Sequence, residues 1–244
     1  MFKMEARLFQ AIPEPSVESL ELTEENVKIA RVVLRLKHGS RIDLVDGSGL
    51  VAESVLEKLE RKKGSVRIVL RRRHRCPVPE ITLLQGIPKG DKPARIVQQA
   101  VEWGIARIVF LATEHAVPQK RESALGRWRK VAAEALRQSG NPFLPRIEGP
   151  VPLDASVLPE GSAVSVLFDE NEKTRMLRDV LAGGSPDSVR IAIGPEGGWS
   201  DAERALFREA GFQSASLAPY ILRTDTAAVS AIAAVYTLIG GSSE

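Results

Sequence analysis

The residues best placed to do chemistry lie in two short stretches near the C-terminus, and few of them carry reactive side chains. The first, Gly194-Pro195-Glu196-Gly197-Gly198, follows the apolar run Ile191-Ala192-Ile193 and precedes Ser200 and Glu203, the Ser-x-x-Glu spacing of a capping box. A strand feeding a glycine turn at a helix N-terminus leaves peptide N–H and C=O groups bare beside a ligand. Gly197 and Gly198 let main chain approach where a side chain would collide. The second stretch, LAPYILRTDT from Leu217 to Thr226, repeats the layout: a strand, a turn with Pro219, and a helix start that Thr224 is expected to cap. Two such loops at neighbouring strand ends of an open α/β sheet would share one crevice. Their mainly peptide groups suit an adenine or a ribose better than a triphosphate. GIPKGDK lacks the glycine spacing of a phosphate-binding Walker loop, and no Gly-x-Gly-x-x-Gly follows a strand.

The elements that must position these loops are legible from Glu80 onward as an alternation of strands and helices. ITLLQGI reads as a buried strand, with Asp91 capping a helix that has Pro93 in its first turn. ARIVFLA is the next strand. SALGRWRKVAAEALRQSG is an amphipathic helix with Leu125, Trp128, Val131, Ala132, Ala135 and Leu136 near one face. A weaker strand lies near Pro145 to Ile147, followed by the strand AVSVLFDE and the glycine-ended helix TRMLRDVLAGG. This alternation implies α/β architecture with a mostly parallel sheet covered on both faces. The last helix is apolar nearly all round, so it is expected to be buried on several sides, a homodimer interface being one of them. Residues from Gly240 on read as a frayed tail.

The first third differs in texture. Short strands broken at His38-Gly39 and Asp46-Gly47-Ser48-Gly49 suggest a small β-barrel over residues 1–74, with one helix started by Thr23. Pro77 and Pro79 mark a linker, which places the second domain at 77–240. Up to Cys76 the chain carries 16 Lys and Arg against 11 Asp and Glu; beyond it the counts are 18 and 20. A basic first third suggests an anionic partner, nucleic acid before membrane. The candidate contacts are Arg7, Arg31, Arg35, Lys37 and the cluster Arg71, Arg72, Arg73 and Arg75, with Lys89, Lys92 and Arg137 expected nearer the crevice. No long apolar run implies a membrane span. A lone cysteine excludes an internal disulfide and suits the cytoplasm. Three scattered histidines give no metal-ligand spacing, so no metal is expected. Trp103 and Trp128 sit on apolar helix faces and are expected in the core; Trp199, beside the glycine loop, is a candidate for stacking on a base.

Taken in order, GIPKGDK, QQAVEWGIARIVFLATEHAV, RWRKVAAEALRQSG, IGPEGG and LAPYILRTDTAA resemble the 16S rRNA (uracil-N3)-methyltransferase family, of the knotted SPOUT class. ARLF and VVLRLKHGSRIDLVDGSG are similar to its N-terminal RNA-binding domain, so the likeness covers nearly the whole chain. The resemblance implies a PUA-like barrel followed by a SPOUT domain with a trefoil knot, S-adenosylmethionine as cofactor, a homodimer, and one uridine of small-subunit rRNA as substrate. It places the cofactor on Leu167, on Gly194, Pro195, Glu196, Gly197 and Gly198, and on Leu217, Ala218, Tyr220, Ile221, Leu222, Arg223 and Thr226. Uracil N3 is a poor nucleophile until its proton leaves, which calls for a base or a cation stabilising the anion. Arg223 is the candidate cation, and Asp225 and Glu196 are the candidate bases. Asp225 stands where the family usually has Glu, and Arg137 where many members also have Glu. A non-catalytic ribosome-assembly factor with a vestigial nucleotide pocket, or a related enzyme acting on tRNA, are the rival readings.

Overall fold

The structure is a computed structural model that describes residues 6–13, 17–116, 121–158 and 163–240. The tail expected after Gly240 falls outside them. The chain forms two compact units, Met1–Cys76 with Ala133–Leu144, and Pro77–Ala132 with Pro145–Glu244.

The first unit holds a five-stranded sheet of β1 (Ala6–Phe9), β2 (Ser19–Glu21), β3 (Arg41–Val45), β4 (Leu50–Leu59) and β5 (Gly64–Arg73), in the order β1-β3-β4-β5-β2. Only the β1–β3 pairing is parallel. The expected turn between β3 and β4 forms because Asp46 Oδ1 accepts from the N–H groups of Ser48 (2.7 Å) and Leu50 (3.1 Å). Thr23 caps α1 (Glu24–Lys28) as read from the sequence, its Oγ1 accepting from Asn26 N–H at 3.2 Å. The helix runs on into a π-helical turn, Ile29–Val33. Leu8, Leu44, Leu56, Val66, Val27 and Ala30 make the core. Residues Ala133–Leu144 join this unit by pairing with the β3–β4 turn: Gly49 N–H donates to Pro142 O (3.1 Å) and Leu144 N–H to Gly47 O (2.9 Å). The stretch assigned from the sequence wholly to the second domain is therefore divided.

The second unit is built on six parallel strands: β6 (Glu80–Gly86), β7 (Arg107–Ala112), β8 (Arg146–Pro152), β9 (Val164–Phe168), β10 (Ser188–Ile193) and β11 (Gln213–Ala215). Their order, β11-β9-β10-β6-β7-β8, is parallel at every pairing, and buried apolar runs fill the strands as two-sided coverage requires. The helices are α2 (Lys92–Glu102), α3 (Arg121–Ser139), α4 (Leu177–Leu181), α5 (Asp201–Glu209) and α6 (Thr224–Ile239). Register decides where a site can form. Ile193 pairs with Gln85 on one side and Phe168 on the other, and Phe168 pairs with Ala215. Four carboxyl ends thus stand level in one row, so the loops that follow them open on a common edge.

α6 buries Ala228, Ala231, Ile232 and Val235 but leaves Val229 and Ala233 half-buried and Leu238 exposed, so this chain covers one face of it. One expectation needs correction: Trp103 is 42% exposed and stacks on Tyr236 (centroids 6.3 Å apart), because it is the C-cap of α2, past the last buried residue of the helix, Val101. Trp128 is in the core, 4.0 Å from the Phe110 ring, as expected.

Candidate active site

The first wall of the site is the turn between β10 and α5. Ser200 and Glu203 form the reciprocal cap read from the sequence: Ser200 Oγ accepts from Glu203 N–H (3.3 Å), and the Glu203 carboxylate accepts from Ser200 N–H (2.9 Å). The same carboxylate accepts from Glu114 N–H at 2.8 Å, tying the cap to the end of β7. Both positions call for glycine, Gly198 chiefly by its backbone angle and Gly197 by space. A Cβ on Gly198, where φ is +69°, would lie 2.2 Å from Glu170 Oε1, and one on Gly197 2.7 Å from His115 Cβ. Trp199 turns away beneath the loop, 2% exposed, donating from Nε1 to Phe168 O (3.2 Å) and packing edge-on to Phe207. It is a buried strut and offers no face to a base, which corrects the stacking role considered for it.

The second wall is the segment from Ser216 to Arg223. Ser216 N–H donates to Arg175 O (2.7 Å) and its hydroxyl to Ala218 O (3.1 Å), fixing the start of the turn. Tyr220 and Ile221 then stand 84% and 80% exposed. The helix begins one residue earlier than expected. Arg223, with extended backbone, is the N-cap of α6, and Thr224 is its first residue. The Thr224 hydroxyl caps nothing in its own helix; it donates to Gly194 O at 2.6 Å and so joins the two loops.

A third wall comes from the end of β9, where the resemblance implied Leu167 alone: Phe168, Asp169, Glu170, Lys173 and Met176. Arg204 on α5 holds its carboxylates, with Nε 2.9 Å from Asp169 Oδ2 and a terminal nitrogen 3.0 Å from Glu170 Oε1. Burial acts to lower the pKa of that guanidinium, but Asp169, Glu170 and Asp201 outweigh it and raise the value. Glu172 closes the turn, accepting from Thr174 N–H and Oγ1 (both 2.7 Å) and Arg175 N–H (3.0 Å).

Between these walls lies a cleft of about 1080 Å³, comparable with small-molecule and cofactor sites of roughly 300–1,000 Å³. Gly194, Pro195, Glu196, Gly197 and Gly198 line it, as do Leu217, Ala218, Tyr220, Ile221, Leu222 and Arg223. Lys92 reaches it too, in an ion pair with Glu196, whose carboxylate also accepts from Lys89 N–H (3.2 Å). Burial pushes the Glu196 pKa up, yet the hydrogen bonds from Lys92 and from the Glu196 and Lys89 amides leave it below the ordinary value. Leu167 lies 2% exposed in the core, and its neighbour Phe168 faces the cleft in its place. Asp225 is buried under the first turn of α6, 3.3 Å from Arg95, while Thr226 is exposed outside the lining.

The basic residues divide. Arg7 is paired with Asp43 (3.3 Å), Arg72 with Glu53 (2.8 Å), and Arg71 donates to Val17 O. Arg137 belongs to the first unit, paired with Glu134, and burial lowers its pKa against the opposing charge of Glu25. Arg31, Arg35, Lys37, Arg73 and Lys89 are exposed and form no ion pair among the described residues. Those residues hold no cluster of metal-binding side chains, and no helix is long and apolar enough to cross a membrane.

Known proteins resemble this chain along most of its length. A family model described as an RNA methyltransferase domain matches residues 74–236. Ribosomal RNA small subunit methyltransferase E of Synechocystis sp. is 30% identical over 98% of this chain and 79% of its own, and that of Aquifex aeolicus 31% over 87% and 92%. The crystal structure of a ribosomal RNA small subunit methyltransferase E from Neisseria gonorrhoeae, bound to S-adenosyl methionine, superimposes with a TM-score of 0.87 at 28% identity, covering 97% of this chain and 98% of that one. With a family model over most of its length and such relatives end to end, the chain belongs to the RNA methyltransferase family.

Proposed function

We propose that this protein transfers a methyl group from S-adenosylmethionine to N3 of a uridine in small-subunit rRNA, with the cofactor in the cleft between Gly194–Gly198 and Leu217–Arg223. The observation that carries this reading is the cradle itself. Peptide groups and the glycines Gly194, Gly197 and Gly198 line it, as an adenosine held by main chain requires, in a chain whose relatives bear that cofactor. Bound there, the cofactor supplies a methyl already activated by its sulfonium, so the protein positions it and readies the acceptor.

Of the three residues considered for that second task, only Arg223 lines the cleft without an ion-pair partner among the described residues. Glu196 is engaged by Lys92 and held below the ordinary carboxylate pKa, which makes it a poor base and a good brace. Asp225 is paired with Arg95 and buried. We assign Arg223 to stabilising the uracil anion, or the phosphate beside a flipped-out uridine. The first unit serves as the RNA platform and is read as PUA-like, with Arg31, Arg35, Lys37 and Arg73 as its free cations. The second is read as trefoil-knotted, on the motifs it shares with the SPOUT class. The open face of α6, with Val229 and Ala233, would be covered in a homodimer. The reaction belongs in the cytoplasm, where ribosomal subunits are assembled.

The test is mass spectrometry of small-subunit rRNA from a strain lacking this protein, incubated with the enzyme and labelled cofactor. Label on N3 of one uridine is expected. No heat with S-adenosylmethionine in calorimetry and no label in any RNA would favour the assembly-factor reading with its vestigial pocket, and label in tRNA alone the third.

A further inference from the structure

Gln85 is a fully buried polar residue that lies outside the cleft lining, at the carboxyl end of β6. Its Nε2 is 2.8 Å from Gly86 O, 3.0 Å from Thr224 Oγ1, 3.3 Å from Ile193 O and 3.4 Å from Gly194 O. Three of these four neighbours are carbonyl oxygens, so the amide must present its nitrogen and not its oxygen. The Thr224 hydroxyl completes the set by giving its proton to Gly194 O and receiving one from Gln85. Meanwhile Gln85 Oε1 has no hydrogen-bond partner among the described residues. Packing alone does not call for an amide there, since its buried Oε1 goes unpartnered at a cost that an apolar side chain would not incur.

Position gives these bonds their consequence. Ile193-Gly194 is where the glycine loop leaves β10, and Thr224 is where the second loop enters α6. Gln85 therefore touches the fixed ends of both walls from beneath. There is no slack between β6 and the glycine loop either: a Cβ on Gly86 would lie 2.5 Å from Pro195 Cδ and 2.8 Å from Pro195 N. A change at the end of β6 is passed directly to the loop.

We propose that Gln85 is a positioning residue that sets the spacing of the two cofactor-binding loops, through its bonds to Ile193 O, Gly194 O and Thr224 Oγ1. This rests on the reading of the cleft as the S-adenosylmethionine site. A ligand held mainly by peptide groups depends on their spacing, because a hydrogen bond weakens steeply with misalignment.

The experiment uses the full-length protein and two variants, Gln85→Met and Gln85→Glu, with S-adenosylmethionine affinity by calorimetry, RNA affinity, steady-state kinetics and thermal melting. Gln85→Met keeps the length and loses both donors. Its Kd and KM for S-adenosylmethionine should rise about tenfold or more, with RNA affinity unchanged. Gln85→Glu turns a carboxylate toward carbonyl oxygens and can donate only when protonated. Its cofactor affinity should recover toward the wild-type value as the pH is lowered, while the wild type shows no such recovery. Should Gln85→Met fail to fold, the pH dependence of Gln85→Glu decides the matter. A lowered melting temperature with unchanged cofactor Kd in either folded variant would reduce Gln85 to a structural residue and overturn the proposal. Absence of cofactor binding in the wild type would instead remove the reading on which it rests.

Discussion

The hydroxyl of Thr224 donates to the carbonyl oxygen of Gly194 across 2.6 Å, joining the first residue of α6 to the first residue of the glycine loop. Thr224→Val keeps the shape and leaves that buried carbonyl short of a partner, at a cost of about 1–3 kcal/mol. The expected result is a lower melting temperature together with weaker S-adenosylmethionine binding. Thr224→Ser, which keeps the hydroxyl, should restore most of both.

Gly198→Ala is expected to be more damaging. Its φ of +69° disfavours any L side chain, and the added carbon meets Glu170 Oε1 at 2.2 Å. The strain is about 1–2 kcal/mol from the backbone alone. Calorimetry should show cofactor affinity lost, and Glu170→Ala in the same chain should relieve the collision but not the backbone strain.

Arg223→Ala removes a side chain that is exposed and without an ion pair among the described residues, so melting should be unchanged. Methyl transfer should fall by about 100-fold or more, as when one preorganised charge-stabilising group is deleted. Turnover at the wild-type rate would take Arg223 out of the mechanism. Arg223→Lys, a charge without the planar fork, should recover only part of the rate.

The Glu172 carboxylate tests the third wall by titration. Hydrogen bonds from the Arg175 and Thr174 amides and the Thr174 hydroxyl take its pKa from 4.5 to about 2. A depressed folded-state value means that its contribution is complete above the unfolded pKa and fades as the pH falls through about 2. Carboxyl NMR should place its midpoint near 2 in the wild type and higher once Thr174→Ala removes one donor; a wild-type midpoint near 4.5 would mean the turn is not closed in solution.

RNA affinity should depend on the free cations more than on the paired ones. Alanine at Arg31, Arg35 and Lys37 together is expected to weaken binding and to flatten its dependence on salt, since each lost phosphate contact reduces counterion release. Arg72→Ala, whose guanidinium already faces Glu53, should change the salt slope far less.

The parts of this site readable from sequence are those written in local spacing. Ser200 and Glu203, three residues apart, mark a helix start whatever surrounds them, and the alternation from Glu80 onward implies parallel strands. The rest depends on contacts between distant residues. Asp169 and Glu170 look like any acidic turn until Arg204 and Gly198 are brought against them. Thr224 looks like a cap because threonine favours that role; a carbonyl thirty positions away competes for the same hydroxyl and wins it. Leu167 and Phe168 differ by one position, and only the second, the last residue of β9, reaches the cleft at the strand's carboxyl end. Trp103 shares the apolar face that helical periodicity names, but periodicity does not say where the helix stops, and Trp103 falls on its C-cap.

Helix α3 begins among the residues of one unit and finishes among those of the other, so the polypeptide passes between them at Cys76, at Ala132 and again at Leu144. No single scission yields two intact halves. A chain shortened to end at Cys76 would leave Gly47 and Gly49 without the peptide groups of Pro142 and Leu144, while the complementary piece would carry those groups with nothing to bind. Dissecting RNA affinity from cofactor affinity in this molecule therefore calls for point substitutions, because fragments would report on their own incompleteness.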